Sequence, residues 1–313
     1  MKKSVLVIAL AFGVTGAFAQ DLTSKKGEPI LPEAGDWAIS MDANPIFNYL
    51  GNAFNGNTSN SAPGTTWLNT DQTIIGKKFI DEKNAYRALL RLGFSNVTIK
   101  NMVADDANTA VITFPAQNPQ VEDKFSSRST NIAIGVGKEM RRGKTRLQGY
   151  YGADAMIWIS MSSTKAQYGN IMSATNATGT TTNPETTDFY DADLDGDTGE
   201  SFGTSNRKTI TKSGMTFGIG VRGFIGAEYF IIPKISIGAE YGWGIGFQAS
   251  GKGKTSTEEQ GGTPNQVAVI ERETSGSSMF GFDTDMNNGT MFGWNGSGSG
   301  KTGAGSLRVT FHF

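Results

Sequence analysis

Cysteine is absent from the chain, and histidine occurs once, at position 312. Without cysteine there are no disulfides, no thiolate metal site and no cysteine to carry a lipid anchor. A dominant charge is lacking too. The formal net charge is −1, and it becomes −3 once Lys2 and Lys3 are removed. That balance does not suggest nucleic acid as a partner. Past the first residues, no segment has the roughly 20 consecutive apolar residues of a membrane helix. By hydropathy alone the chain reads as a soluble exported protein.

Export is written at the start. Lys2 and Lys3 precede the apolar run "VLVIALAFGVTGAFA" (5–19), which ends in Ala17-Phe18-Ala19. This predicts a signal peptide over 1–19, cleaved before Gln20. The run is short for a membrane anchor and ends in small residues. Residues 20–34 carry Pro29 and Pro32 with no periodicity and read as an extended periplasmic tail.

What the chain has in plenty is glycine, 41 residues, with 10% aromatics. In "FGIGVRGFIGAEYF" (217–230), Gly218, Gly220 and Gly223 fit the G-x-G-x-x-G spacing of a dinucleotide loop, and Glu240 falls near the place of its ribose-binding acid. Such a loop must open a helix. Here β-branched and aromatic residues run on to Pro233. The segment alternates instead: Phe217, Ile219, Val221, Ile225 and Tyr229 share one face, and Gly218, Gly220, Arg222, Gly226 and Glu228 the other. "KISIGAEYGWGIGFQ" (234–248) alternates just as strictly, over more residues than a soluble protein's strand usually has. The pattern recurs in 35–42, 85–95, 130–138, 146–160 and 306–313, and least cleanly in 72–80.

Alternation alone also fits a soluble β-sandwich. The polar face, however, carries many glycines, which a water-facing side does not need. The segments also reach the 9–11 tilted residues that cross a bilayer. The connectors run long, short, long, short, long, short, long, with the short ones at Asp81–Asn84, "RRGK" (141–144) and "FIIPK" (230–234). Outer-membrane barrels have that asymmetry, with short periplasmic turns and long extracellular loops. The expected fold is therefore all-β: an eight-stranded antiparallel up-and-down transmembrane β-barrel over 35–313, with both termini periplasmic.

The leader, the Tyr-Phe-x-x-Pro-Lys turn at 229–234 and the final "LRVTFHF" carry a resemblance. The chain resembles the small eight-stranded outer-membrane β-barrels of bacteria, similar to the OmpA transmembrane domain. The resemblance implies contact with outer-membrane lipid and lipopolysaccharide, and delivery by the barrel-insertion machinery, which would read the last strand and Phe313. No peptidoglycan-binding domain follows that strand, so cell-wall anchoring is not implied.

The inward face would hold Asp42, Arg87, Arg91, Asp154, Arg222, Glu228, Glu240 and Arg308. Unpaired charges in a dry lumen are costly, so these should pair into a plug. A narrow ion pathway is the competing reading. A hydrolase is disfavoured, because its site would need a histidine and His312 falls at the periplasmic end. In "DADLDGDTGE" (191–200), Asp191, Asp193, Asp195 and Asp197 alternate around Gly196, like the first half of a calcium loop. Position twelve is Phe202 and Glu200 comes early, so weak Ca²⁺ binding and a solvated acidic loop both remain. Cations bridging to lipopolysaccharide phosphates are a further use of that loop. "NPIFNYLGNAF" (44–54) reads as a partner-docking surface or as an element packed on the rim. The expected role is structural or surface-interacting and not enzymatic, within a larger envelope complex or alone. The alternative is a narrow passive channel.

Overall fold

The computed structural model describes residues 23–24, 27–56, 73–108, 111–173, 184–187, 189, 206–262, 266–283 and 306–313. Alternating residues form strands here, and all the strands pair antiparallel in one twelve-stranded sheet. In chain order they are β1 (Trp37–Asp42), β2 (Thr73–Asp81), β3 (Asn84–Ala104), β4 (Gln120–Arg142), β5 (Leu147–Gln167), β6 (Asn206–Lys212), β7 (Thr216–Ile232), β8 (Ile235–Ser250), β9 (Gly253–Gly261), β10 (Gln266–Thr274), β11 (Ser277–Asp283) and β12 (Ser306–His312). One helix, α1 (Asn44–Phe54), follows β1, with a proline in its first turn where no backbone donor is lost.

The pairings form a ring. They run from β1 through β2, β3, β4, β5, β7, β8 and β12, and β12 pairs back onto β1. The two chain-end residues of the seam exchange backbone bonds, Trp37 N to Phe313 O at 2.8 Å and Phe313 N to Trp37 O at 2.9 Å. Three tight turns lie at one end of the ring, at Glu82-Lys83, Gly143–Arg146 and Pro233-Lys234. At the first, the Asp81 carboxylate accepts the Lys83 N–H at 2.7 Å and the Asn84 amide at 3.0 Å. These are the three short connectors expected from the sequence.

The sheet has four strands more than expected. β6, β9, β10 and β11 fall in segments read as loops, and β3, β4 and β5 run on to 21, 23 and 21 residues. β6 pairs the far end of β5, β9 pairs β6, β10 pairs β9, and β11 pairs the far half of β8. Their sequences lack clean alternation because both faces of these extensions are polar or partly exposed. Nothing then marks one side as different from the other.

Side chains sort by face. Leu90, Ile134, Ile157, Ile219, Phe247 and Phe280 lie directly across one another on six strands. They point outward and are between 41% and 71% exposed. Three residues along each strand, Arg87, Gly137, Asp154, Arg222 and Gly244 are equally aligned, and their charged members are buried. The glycines make room for neighbours. Gly218 pairs with Trp158 and Gly226 with Tyr150, and a Cβ at either glycine would fall inside the facing aromatic ring. This is why glycine recurs on the inner face, and the G-x-G-x-x-G stretch lies wholly within β7.

The segment before β1 is folded rather than extended. Thr23 bridges Pro29, Ser24 N donates to Glu28 O at 2.7 Å, and Gly27 N donates to Ser24 O at 2.9 Å. Gly35 N donates to Phe79 O and Phe79 N to Asp36 O, both at 2.9 Å. Ile30 is 0% exposed, so this stretch caps the turn end with an apolar side chain. Ile30→Ala is expected to cost the cap about 2–4 kcal/mol. The check is the rate of protease cleavage within 27–36, which should rise by more than about tenfold while the ring stays resistant.

Asp36 ties the cap down. Its carboxylate accepts from Lys234 Nζ at 2.5 Å and from the Glu33 N–H at 2.9 Å. Burial pushes the Asp36 carboxyl up, but the hydrogen bond and charge of Lys234, with the Glu33 N–H, outweigh it and hold the group below its ordinary value. A depressed folded pKa contributes stability that is present above the unfolded value of about 4 and lost as pH falls through the folded one. Cleavage of the cap should therefore be flat from pH 8 to 5 and faster in stronger acid. Asp36→Asn should abolish that acid dependence.

Candidate functional site

The interior of the ring is a connected set of ion pairs. Arg87 donates to Glu240 through Nη1 at 3.0 Å and Nη2 at 3.2 Å, and lies 3.4 Å from Glu139 and 3.5 Å from Asp154. Arg222 joins Asp154 at 3.0 Å and Glu240 at 2.7 Å. Toward the turn end Glu139 also takes Lys77 at 2.8 Å and Arg141 at 3.1 Å, and Arg141 continues to Glu228. The Arg87 guanidinium sits 3.8 Å from the Phe224 ring centroid, a stacking geometry that planar cations favour. Arg87, Glu139, Arg141, Asp154, Arg222, Glu228 and Glu240 are at most 2% exposed.

All eight residues expected on the inner face are buried: Asp42, Arg87, Arg91, Asp154, Arg222, Glu228, Glu240 and Arg308. The sequence reading missed Lys77, Glu139 and Arg141. Glu139 and Arg141 lie two and four residues past Gly137 on the same strand face, so carrying the alternation further along β4 would have found them. Lys77 is hidden in β2, where Ile75 and Phe79 also point inward and blur the polarity rule.

His312 stands at the turn end of this interior, with ring centroids 5.6 Å from Phe79 and 5.0 Å from Phe230. Its Nε2 lies 3.2 Å from Ser236 Oγ, and Ser236 donates to Glu228 at 3.2 Å. The carboxylate is thus on the serine and not on the histidine, whose Nδ1 has no hydrogen-bond partner among the described residues. A charge-relay triad needs the acid on the far nitrogen of the imidazole.

No family model matches the chain, and no curated protein matches it. Its chemistry has to be read from its own geometry.

Two further features lie at the ends. At the turn end a cleft of about 720 Å³ opens between the cap and the turns, lined by Leu31, Pro32, Lys83, Arg142, Lys144 and Gln148 among others. At the far end, extended β4 and β5 carry a small satellite core in which Phe125 stacks on Phe189 at 5.3 Å beside Ala166. Buried Asp123 accepts the Gly169 and Thr187 N–H groups, each at 2.7 Å. Asn170 donates to Ala104 O at 2.7 Å and Glu185 O at 2.9 Å. These bonds fasten residues 169–170 and 184–187 onto the sheet. Helix α1 leaves Phe47, Tyr49, Leu50 and Phe54 exposed. The acidic run Asp191, Asp193, Asp195 and Asp197, and the leader, lie outside the described residues. Among the described residues no cluster of three or more His, Asp or Glu could hold a metal ion.

Proposed function

We propose that the chain is an integral β-barrel of the bacterial outer membrane, formed by the eight strands of the ring, and that the sheet beyond the ring is a surface for interaction outside the cell. The observation that carries this reading is the inverted distribution of polarity. Buried Arg, Lys, Glu and Asp fill the inside, while aliphatic and aromatic side chains cover the outside. In water that exposed apolar wall would far exceed the patches a monomer tolerates. In lipid it is the favoured surface, and a closed ring leaves no unpaired edge in the hydrocarbon. The exported leader and the OmpA-like ending agree with this placement. The last strand and Phe313 would engage the insertion machinery, and lipid and lipopolysaccharide would surround the wall.

The far-end sheet supports an interaction role. β3 to β5 are about twice as long as the 9–11 residues a crossing strand needs, so their outer halves stand clear of the bilayer as an ordered sheet. A partner in a larger envelope complex would meet that surface. Nothing in the His312 arrangement calls for enzymatic chemistry. A narrow passive channel is the second reading, favoured only by the charges themselves. Their mutual pairing and burial argue for a plug instead. Planar-bilayer recording tests the two. The plug predicts silence from purified protein, and steady conductance steps altered by Glu240→Gln would overturn it in favour of transport.

A further inference from the structure

The outward apolar pattern ends at the same level on neighbouring strands. On β5, Ile157, Ile159 and Met161 give way to Ser163 and Lys165; on β4, Ile134 and Ile132 give way to Thr130 and Arg128. The pairing of β4 with β5 runs without a register shift, setting Arg128 opposite Ser163. Lys212 lies opposite Ser163 in turn, and Lys254 opposite Lys212. Directly opposed residues of an antiparallel pair project to one face. Arg128, Lys165, Lys212 and Lys254 therefore share the apolar face, two to four residues beyond Met161, or roughly 7–13 Å along the strand.

Like charges directly opposite each other destabilise a sheet. The chain nevertheless sets Lys212 opposite Lys254, and Lys100 opposite Lys124 a few residues further out. One lysine of each pair has a carboxylate, Lys254 with Glu271 at 2.6 Å and Lys100 with Glu122 at 2.9 Å. Arg128, Lys165 and Lys212 are exposed and are ion-paired with no described residue. Glu271 and Glu273 of β10 offset the charge at Lys254, whereas the charge at Arg128, Lys165 and Lys212 would be relieved by an anionic ligand. The basic group borders the apolar wall, so the ligand that satisfies both surfaces has a charged head and greasy chains.

We infer that Arg128, Lys165, Lys212 and Lys254 form a binding site for the phosphate-bearing head group of an anionic lipid, with its acyl chains lying along the adjoining apolar face. The site rests on the outer-membrane reading and deepens it by naming the lipid chemistry and the residues that hold it. Basic side chains at a bilayer surface each add to the attraction for an anionic head group, and Arg grips phosphate in a two-pronged geometry.

The test uses the full mature chain folded in detergent micelles, with native mass spectrometry to count bound lipid. The probes are diphosphoryl lipid A, phosphatidylcholine and inorganic phosphate. Lipid A should be retained about tenfold more tightly than phosphatidylcholine. The variant Arg128→Gln/Lys165→Gln/Lys212→Gln/Lys254→Gln should lose that preference, and Lys83→Gln/Lys144→Gln, at the opposite end, should keep it. If the fourfold variant does not fold, Lys165→Gln/Lys212→Gln carries the same comparison. A parent without preference, a folded variant that keeps it, or displacement of lipid A by an equal concentration of inorganic phosphate would each overturn the site. Insertion into plain phosphatidylcholine vesicles separates the two levels. A chain that inserts there but ignores lipid A loses only this site, whereas one that never inserts loses the membrane reading as well.

Discussion

Glu240→Ala is expected to lower the unfolding free energy of the folded protein by about 3–5 kcal/mol, measured as the loss of urea resistance in lipid or detergent. Among the described residues Glu240 accepts two hydrogen bonds from Arg87 and one from Arg222. Removing it leaves two guanidiniums buried beside each other, with Asp154 as their remaining shared carboxylate. Stranding a charge in a dry interior costs more than the pair itself is worth, because the desolvation has already been spent. An exposed pair gives the contrast. Lys100–Glu122, with both partners about half exposed, should cost no more than about 1 kcal/mol when Glu122→Gln breaks it. If Glu240→Ala cost as little as that, water would have to reach the network, and the channel reading would gain what the plug loses.

The second large effect lies on the opposite face. Val221 sits mid-way along β7, 53% exposed, paired with Ala155 on one side and Ile245 on the other. In a soluble protein, an exposed strand residue of this kind accepts arginine with a change within about 0.5 kcal/mol. On a lipid-facing wall, arginine near the bilayer midplane costs about 2–4 kcal/mol. Val221→Arg should therefore destabilise the protein in vesicles by that amount and slow its insertion. Lys212→Arg, beyond the apolar face, should leave both unchanged. Equal and negligible effects at the two positions would mean that the exposed wall meets water.

These predictions depend on which face each residue occupies, and that much could be read from the chain. Alternation in 217–230 and 234–248 assigned Arg222, Glu228 and Glu240 inward because the large apolar residues there, apart from Phe224, Tyr229 and Phe230, are each followed by a small, polar or charged one. The three short turns were visible as Asp81–Asn84, Arg141–Lys144 and Phe230–Lys234. The strands that extend the sheet were not. In β9 and β10 both faces carry Thr, Glu, Gln and Val in no repeating order, since neither face is reserved for a core or for lipid. The cap before β1 was missed for a different reason. Its fold depends on one buried side chain, Ile30, and on backbone bonds to Phe79, neither of which leaves a periodic trace. Pairing partners such as Glu139 for Arg87 join residues 52 positions apart, a closeness that only the register of β3 on β4 creates. The basic band was invisible for the same reason, because Arg128, Lys212 and Lys254 become neighbours only through pairing.

The most direct measurement is tryptophan fluorescence in vesicles whose acyl chains carry bromine, a quencher that acts only at contact. Two variants are compared, each keeping one tryptophan and replacing the others with phenylalanine. Trp243 points outward from β8 and is 39% exposed, whereas Trp158 points inward from β5 and is 2% exposed. Strong quenching of Trp243 with Trp158 left bright is the predicted result. Equal quenching of the two, or a chain that folds as a monomer in buffer without lipid or detergent and leaves Trp243 unquenched, would contradict a wall that faces the bilayer.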